Sequence, residues 1–281
     1  MLVPNRLRLA LPLVLGLPPL DVLTPPPDIR TPPPDAKTIL WIRHGQSEAN
    51  AAGLLGHELL DAQLTDYGRA QAASWASTAP SWEVEQVFCS PLVRSIETAA
   101  NVFAKADSNL CLTVTPLARE YHFELPENRG RLAAGLLSGT ESGETDQAQR
   151  WPAVRQFTQR KLARLDELER PLPLRWDPAA EATLTPQAAQ KRWRDAIAEL
   201  PLEIARSDAS RIAVVCHYGV MRALCGVDAA NAGLLETSMW LGDGGESQML
   251  RRTAVQPPPL AAEESARAAA TGRRELLLFG S

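Results

Sequence analysis

The sequence predicts an α/β fold: three layers, α/β/α, around a mostly parallel central sheet. Three observations predict it. Short apolar runs alternate with longer stretches of helical composition, an order that yields parallel strands with helices on both faces. Several runs stop at a charged or imidazole residue, as strands do when they deliver side chains to one sheet edge. Finally, 281 residues that are 45% hydrophobic and 22% charged supply a sizeable buried core.

In chain order, residues 1–36 read as an N-terminal leader and linker outside the fold. Arg6 and Arg8 precede an apolar run at 9–17, and two triple prolines follow at 25–27 and 32–34. A basic start before a short apolar stretch has the form of a targeting peptide. Pro12 and the missing small-residue cleavage site weaken that reading. The run is shorter than the roughly 20 apolar residues a bilayer span needs, so no stable membrane insertion is expected.

Residues 37–43 form the first strand, ending in Arg43 and His44. A glycine-containing loop leads to a helix at 64–73, with Thr65 as its N-cap and Asp66 in the first turn. A second strand at 84–89 runs into Ser90-Pro91, read as N-cap and first helical residue, which puts Arg94 in the first turn. A third strand at 110–114 leads to Arg119-Glu120.

Residues 121–145 read as an irregular excursion, and 146–170 and 185–206 as helical, separated by the Pro-Leu-Pro at 171–173. The strand at 211–217 ends in His217 and leads to a helix carrying Arg222; a last strand falls within 246–255. The domain is thus expected over 37–255, with a helical cap insertion around 121–206, of which residues 121–170 are expected to close over the site and select the leaving group. A low-complexity tail occupies 256–281.

The net charge of −4 provides no basic field for nucleic acid. Cys89, Cys111, Cys216 and Cys225 show no CxxC spacing, so they read as reduced thiols in a reducing, cytoplasmic setting. Arg43, His44, Arg94, Arg119, Glu120 and His217 all follow predicted strands. Guanidinium groups grip phosphoryl oxygens with a planar fork, and a neutral imidazole can attack the phosphorus. Such fixed cations stabilise a phosphoryl group in flight without a metal, and His217 is most useful there when protonated. His57 and His122 read as surface or loop residues, Trp41 as core, and Arg222 as the partner of a carboxylate.

The runs Arg43-His44-Gly45-Gln46-Ser47-Glu48-Ala49-Asn50, Leu64-Thr65 with Gly68 and Gln71-Ala72, Ser90-Pro91-Leu92-Val93-Arg94, Thr98-Ala99, Arg119-Glu120 and Val215-Cys216-His217-Tyr218-Gly219 occur in this order. Together they resemble the histidine phosphatase superfamily, in its phosphoglycerate mutase-like branch. The resemblance implies that fold, and His44 as a nucleophile forming a phosphohistidine. It implies that Arg43, Arg94 and His217 hold the phosphoryl group, with Asn50 as a further phosphate contact. Glu120 would protonate the leaving oxygen and then activate water. No metal or cofactor is implied, and the partner would be a phosphorylated small molecule or phosphoprotein.

Ala49 before Asn50, and Arg119-Glu120-Tyr121-His122-Phe123 around the acid, depart from the mutase pattern and favour a phosphatase. A phosphoglycerate mutase-type phosphotransferase and a catalytically silent interaction module remain as alternatives. A metal-dependent hydrolase is disfavoured by the lack of HxxE, HxH or clustered carboxylates.

Overall fold

The computed structural model describes residues 31–106, 110–121, 125–128 and 183–260. Six strands form one sheet: β1 (Lys37–Arg43), β2 (Gln86–Cys89), β3 (Cys111–Val114), β4 (Arg211–Cys216), β5 (Leu234–Leu241) and β6 (Ser247–Arg251). Their order is β3-β2-β4-β1-β5-β6. The first four of these pair in parallel, and β5 and β6 add an antiparallel flank to β1.

Side-chain alternation builds the layers. In β1, Ile39 and Trp41 face one side, while Leu40 and Ile42 face the other. On the first side, α4 (Pro186–Ala205) and α5 (Tyr218–Cys225) bring Trp193, Ile197, Leu200, Val220 and Met221 onto the sheet. On the second, α2 (Asp66–Ala73) and α3 (Val93–Val102) bring Ala72, Ile96 and Ala99. A short α1 (Glu48–Ala52) follows β1. Trp41 is fully buried and its Nε1 donates to Thr237 Oγ1 at 2.9 Å. Burying an aromatic ring of that size contributes about 2–3 kcal/mol.

Several expectations change. The strand β5, which borders β1, was not foreseen from its sequence, because Glu236, Thr237 and Ser238 interrupt its apolar pattern. Helix α3 starts at Val93 rather than Pro91: Leu92 is the N-cap, and Asp61 Oδ1 accepts the Val93 N–H at 3.0 Å. A carboxylate brought from a distant loop therefore replaces the local serine cap. Residues 186–205, grouped with the cap by sequence, instead form a crossover helix seated in the core. The fold also continues past 255, since Gln256 exchanges backbone hydrogen bonds with Leu234. The leader at 1–30, the helical stretch at 146–170, most of the expected cap and the tail from 261 lie outside the described residues.

Candidate active site

Parallel pairing places three chain segments side by side at the C-terminal edge of the sheet. Strand β4 lies between β1 and β2, so β1 ends into His44, β4 into His217 and β2 into Ser90. The ladder runs on past the strand ends. His44 N donates to Cys216 O at 2.9 Å, and Ser90 N donates to Val215 O at 3.0 Å. The two imidazoles therefore meet, with ring centroids 5.0 Å apart and planes inclined by 57°. Both are buried.

The His44 ring has a defined tautomer. Its Nδ1 lies 2.7 Å from Gly45 O, and a carbonyl only accepts, so Nδ1 carries the proton and Nε2 the lone pair. The backbone around it is fixed from several sides. Gly45 N donates to Thr98 Oγ1 at 3.0 Å, and His44 O accepts from Ala232 N at 3.0 Å and Asn231 Nδ2 at 3.2 Å.

The guanidinium groups are held by backbone and amide oxygens. Arg43 Nη1 donates to Ala229 O at 2.7 Å, and its guanidinium lies 5.3 Å from the centre of the Tyr218 ring. Arg94 is buried; it donates to Glu127 O at 2.6 Å and to Asn128 Oδ1 at 2.7 Å. Neither has a carboxylate among these hydrogen-bond partners; Glu120 acts on both through its charge, and Asp61 and Glu127 on Arg94. Two buried nitrogens of the cluster, Arg43 Nε and His217 Nδ1, have no hydrogen-bond partner among the described residues.

Glu120 reaches the cluster from the loop after β3. Its carboxylate accepts Tyr121 N at 2.8 Å and Gly219 N at 3.1 Å, at the start of α5. Helix α4 anchors that loop, with Trp193 Nε1 donating to Arg119 O at 3.2 Å. Asn50 sits on the rim. Its Oδ1 accepts Ser47 N in a capping box and Asn231 Nδ2 at 3.1 Å.

Burial, then Arg94 and Arg43, hold the His44 imidazole well below its ordinary range. His217 is pushed the same way by burial, Arg94, His44, Arg43 and Arg119. Both shifts favour the neutral rings near neutral pH, whereas the sequence-based expectation has His217 most useful to a phosphoryl group when protonated.

The structure thus brings together Arg43, His44, Arg94, Glu120 and His217, with Asn50 at the edge. Sequence reasoning missed Asn231, Asn128 and Asp61, which act through contacts far apart in the chain. It also mistook Ser90, whose Oγ lies 2.8 Å from His217 Nε2. Arg222 pairs with Asp228 as expected, and His57 pairs with Glu127 at 2.7 Å. Among the described residues, no group of three or more His, Cys, Asp or Glu is placed to hold a metal ion. None of their helices is long and apolar enough to cross a membrane. Cys89, Cys216 and Cys225 are buried and free.

Comparison with known proteins adds three findings. Residues 39–170 match the family model described as histidine phosphatase superfamily (branch 1). A 2,3-bisphosphoglycerate-dependent phosphoglycerate mutase from Thermoplasma acidophilum is 32% identical over 107 residues, covering 38% of this chain and 52% of that protein. The chain therefore aligns with about half the length of that relative. Among solved structures, the alpha-ribazole phosphatase from Shigella flexneri is similar at 19% identity and TM-score 0.45, covering 77% of this chain and 96% of that one. The mycobacterial glucosyl-3-phosphoglycerate phosphatase with VO3 is similar at 20% identity and TM-score 0.44, covering 78% and 99%.

Proposed function

From the match of residues 39–170 to the histidine phosphatase superfamily, we propose that this chain is a member of it and a phosphohydrolase acting on a phosphomonoester through a phosphohistidine. The observation that carries the reading is the meeting of two neutral imidazoles with two buried guanidinium groups at one sheet edge.

The tautomer of His44 supports its role as nucleophile. The Nε2 lone pair attacks phosphorus, the P–N bond forms, and the bond to the leaving oxygen breaks. Arg43 and Arg94 neutralise the charge spread over the equatorial oxygens. His217 and Asn50 are further contacts to those oxygens. Glu120 gives a proton to the leaving oxygen. In the second half its carboxylate takes a proton from water, the water oxygen attacks phosphorus, and the P–N bond breaks to release phosphate. No step calls for a metal ion. The substrate is a phosphorylated small molecule or phosphoprotein.

One observation favours a second reading. The curated relative is itself a phosphoglycerate mutase, which supports transfer of the phosphoryl group back to a sugar acid. Ala49 ahead of Asn50 and the run around Glu120 favour transfer to water. The test is turnover of p-nitrophenyl phosphate and of 3-phosphoglycerate, in the presence of EDTA. Phosphate release from the first with no isomerised product from the second supports the hydrolase. Isomerisation without phosphate release would overturn it in favour of the mutase, and inactivity on both would leave a silent module.

A further inference from the structure

Resting on the reading that a phosphoryl group binds between His44 and His217, we propose that Ser90 and Ser95 are positioning residues that fix His217 as its Nδ1–H tautomer. A neutral ring then offers a proton to the bound oxyanion. His217 Nε2 lies 2.8 Å from Ser90 Oγ and 3.2 Å from Ser95 Oγ, and all three residues are buried. Ser90 Oγ also accepts the Leu92 N–H at 3.3 Å. With one lone pair already engaged there, the Ser90 O–H is still available to donate to Nε2, and we take the ring nitrogen facing the two hydroxyls as the acceptor. The remaining ring proton then sits on Nδ1, the atom buried without a partner among the described residues.

A buried N–H without a partner is costly, and an anion between the two rings supplies the missing acceptor. The reverse tautomer would turn a lone pair toward that anion. Burial first, then Arg94, His44, Arg43 and Arg119, disfavour a second proton on the ring. Donation without net charge thus needs a fixed tautomer, and the two hydroxyls fix it.

Nitrogen NMR of the histidine-labelled full chain tests this, with His217 assigned by comparison with His217→Gln. The expected spectrum near neutral pH has a protonated Nδ1 and an unprotonated Nε2. In a Ser90→Ala/Ser95→Ala variant the two tautomers are expected to mix, and kcat/KM for p-nitrophenyl phosphate to fall by about tenfold. A protonated Nε2 in the parent, or an unchanged tautomer in the double variant, would overturn the proposal. The tautomer is read without turnover. A protein with the Nδ1–H ring and no hydrolysis would therefore sink the proposed function and support this assignment. The parent spectrum decides the tautomer, and where the double variant folds poorly the single variants Ser90→Ala and Ser95→Ala carry the same readout of what fixes it.

Discussion

At the scale of single residues, the site works by removing water and supplying fixed charge. Burial and the two guanidiniums hold the His44 pKa well below its ordinary range, and the proposed mechanism takes the neutral imidazole as the attacking species. A lowered pKa moves its protonation to more acidic pH. We therefore expect kcat/KM to show no acid limb near the ordinary histidine value of about 6.5, a limb that pH–rate profiles would otherwise display. Gly219 offers a sharper dissection. A Cβ there would lie 2.2 Å from Glu120 Oε1, so Gly219→Ala must push the carboxylate aside. Alanine also favours the helix that Gly219 sits in, by about 0.5–1 kcal/mol. We expect kcat to fall by about 10²-fold or more with unchanged or higher thermal stability. A stable variant of full activity would remove Glu120 from the chemistry.

Of the proposed catalytic residues, His44 and His217 were legible because each follows an apolar run directly, while Arg94 and Glu120 stand a few residues beyond one. Their supports were not legible. Asn231, Asn128 and Asp61 hold His44, Arg94 and the start of α3 from loops that no periodicity marks. Ser90 was misread because Ser-Pro before a helix is the usual sign of a cap.

At the scale of elements, two contacts hold the β1 end in place. The start of α2 presses directly on the loop after β1. A Cβ on Gly68 would come 2.0 Å from Gln46 O, a backbone atom that cannot step aside. Gly68→Ala is therefore expected to lower stability by about 1–3 kcal/mol or more in urea unfolding, and to lower activity with it. Behind the site, the α3 carboxylate of Glu97 accepts Leu64 N at 2.6 Å and pairs with Arg69 at 2.9 Å. Burial nevertheless pushes its pKa up to about 7 from 4.5. The folded state then binds this proton more tightly than the unfolded chain. The associated stability is complete below the unfolded value of 4.5 and lost as pH rises through about 7. Urea unfolding across that window should show parent stability falling by roughly 3 kcal/mol relative to Glu97→Gln. Parallel curves for the two proteins would contradict this.

Elements were read well where apolar side chains were contiguous, as in β1 and β4, or where a cap marks the start, as in α2. The strand β5 was hidden because its buried Thr237 and Ser238 are satisfied by Trp41 and Arg252, partners that the local sequence does not reveal. Helix α4 was visible as a helix, but its layer was not: amphipathic spacing does not say whether the apolar face meets a sheet or a substrate.

At the scale of the whole molecule, sheet order explains why the site exists. The family match ends at residue 170, yet His217 comes from β4, which the chain reaches only after α4. Inserting β4 between β1 and β2 places His217 beside both His44 and Ser90. Five side chains from four separate chain segments thus converge, which explains why the candidate site could be read from sequence only as a set.

The most direct test of the account is rapid-quench mass spectrometry of the enzyme during p-nitrophenyl phosphate turnover. The account predicts a phosphoryl group on His44 that appears before steady state and is absent in His44→Ala, which has no measurable turnover. Phosphate release from the parent with His44 unmodified, and comparable release from His44→Ala, would contradict it.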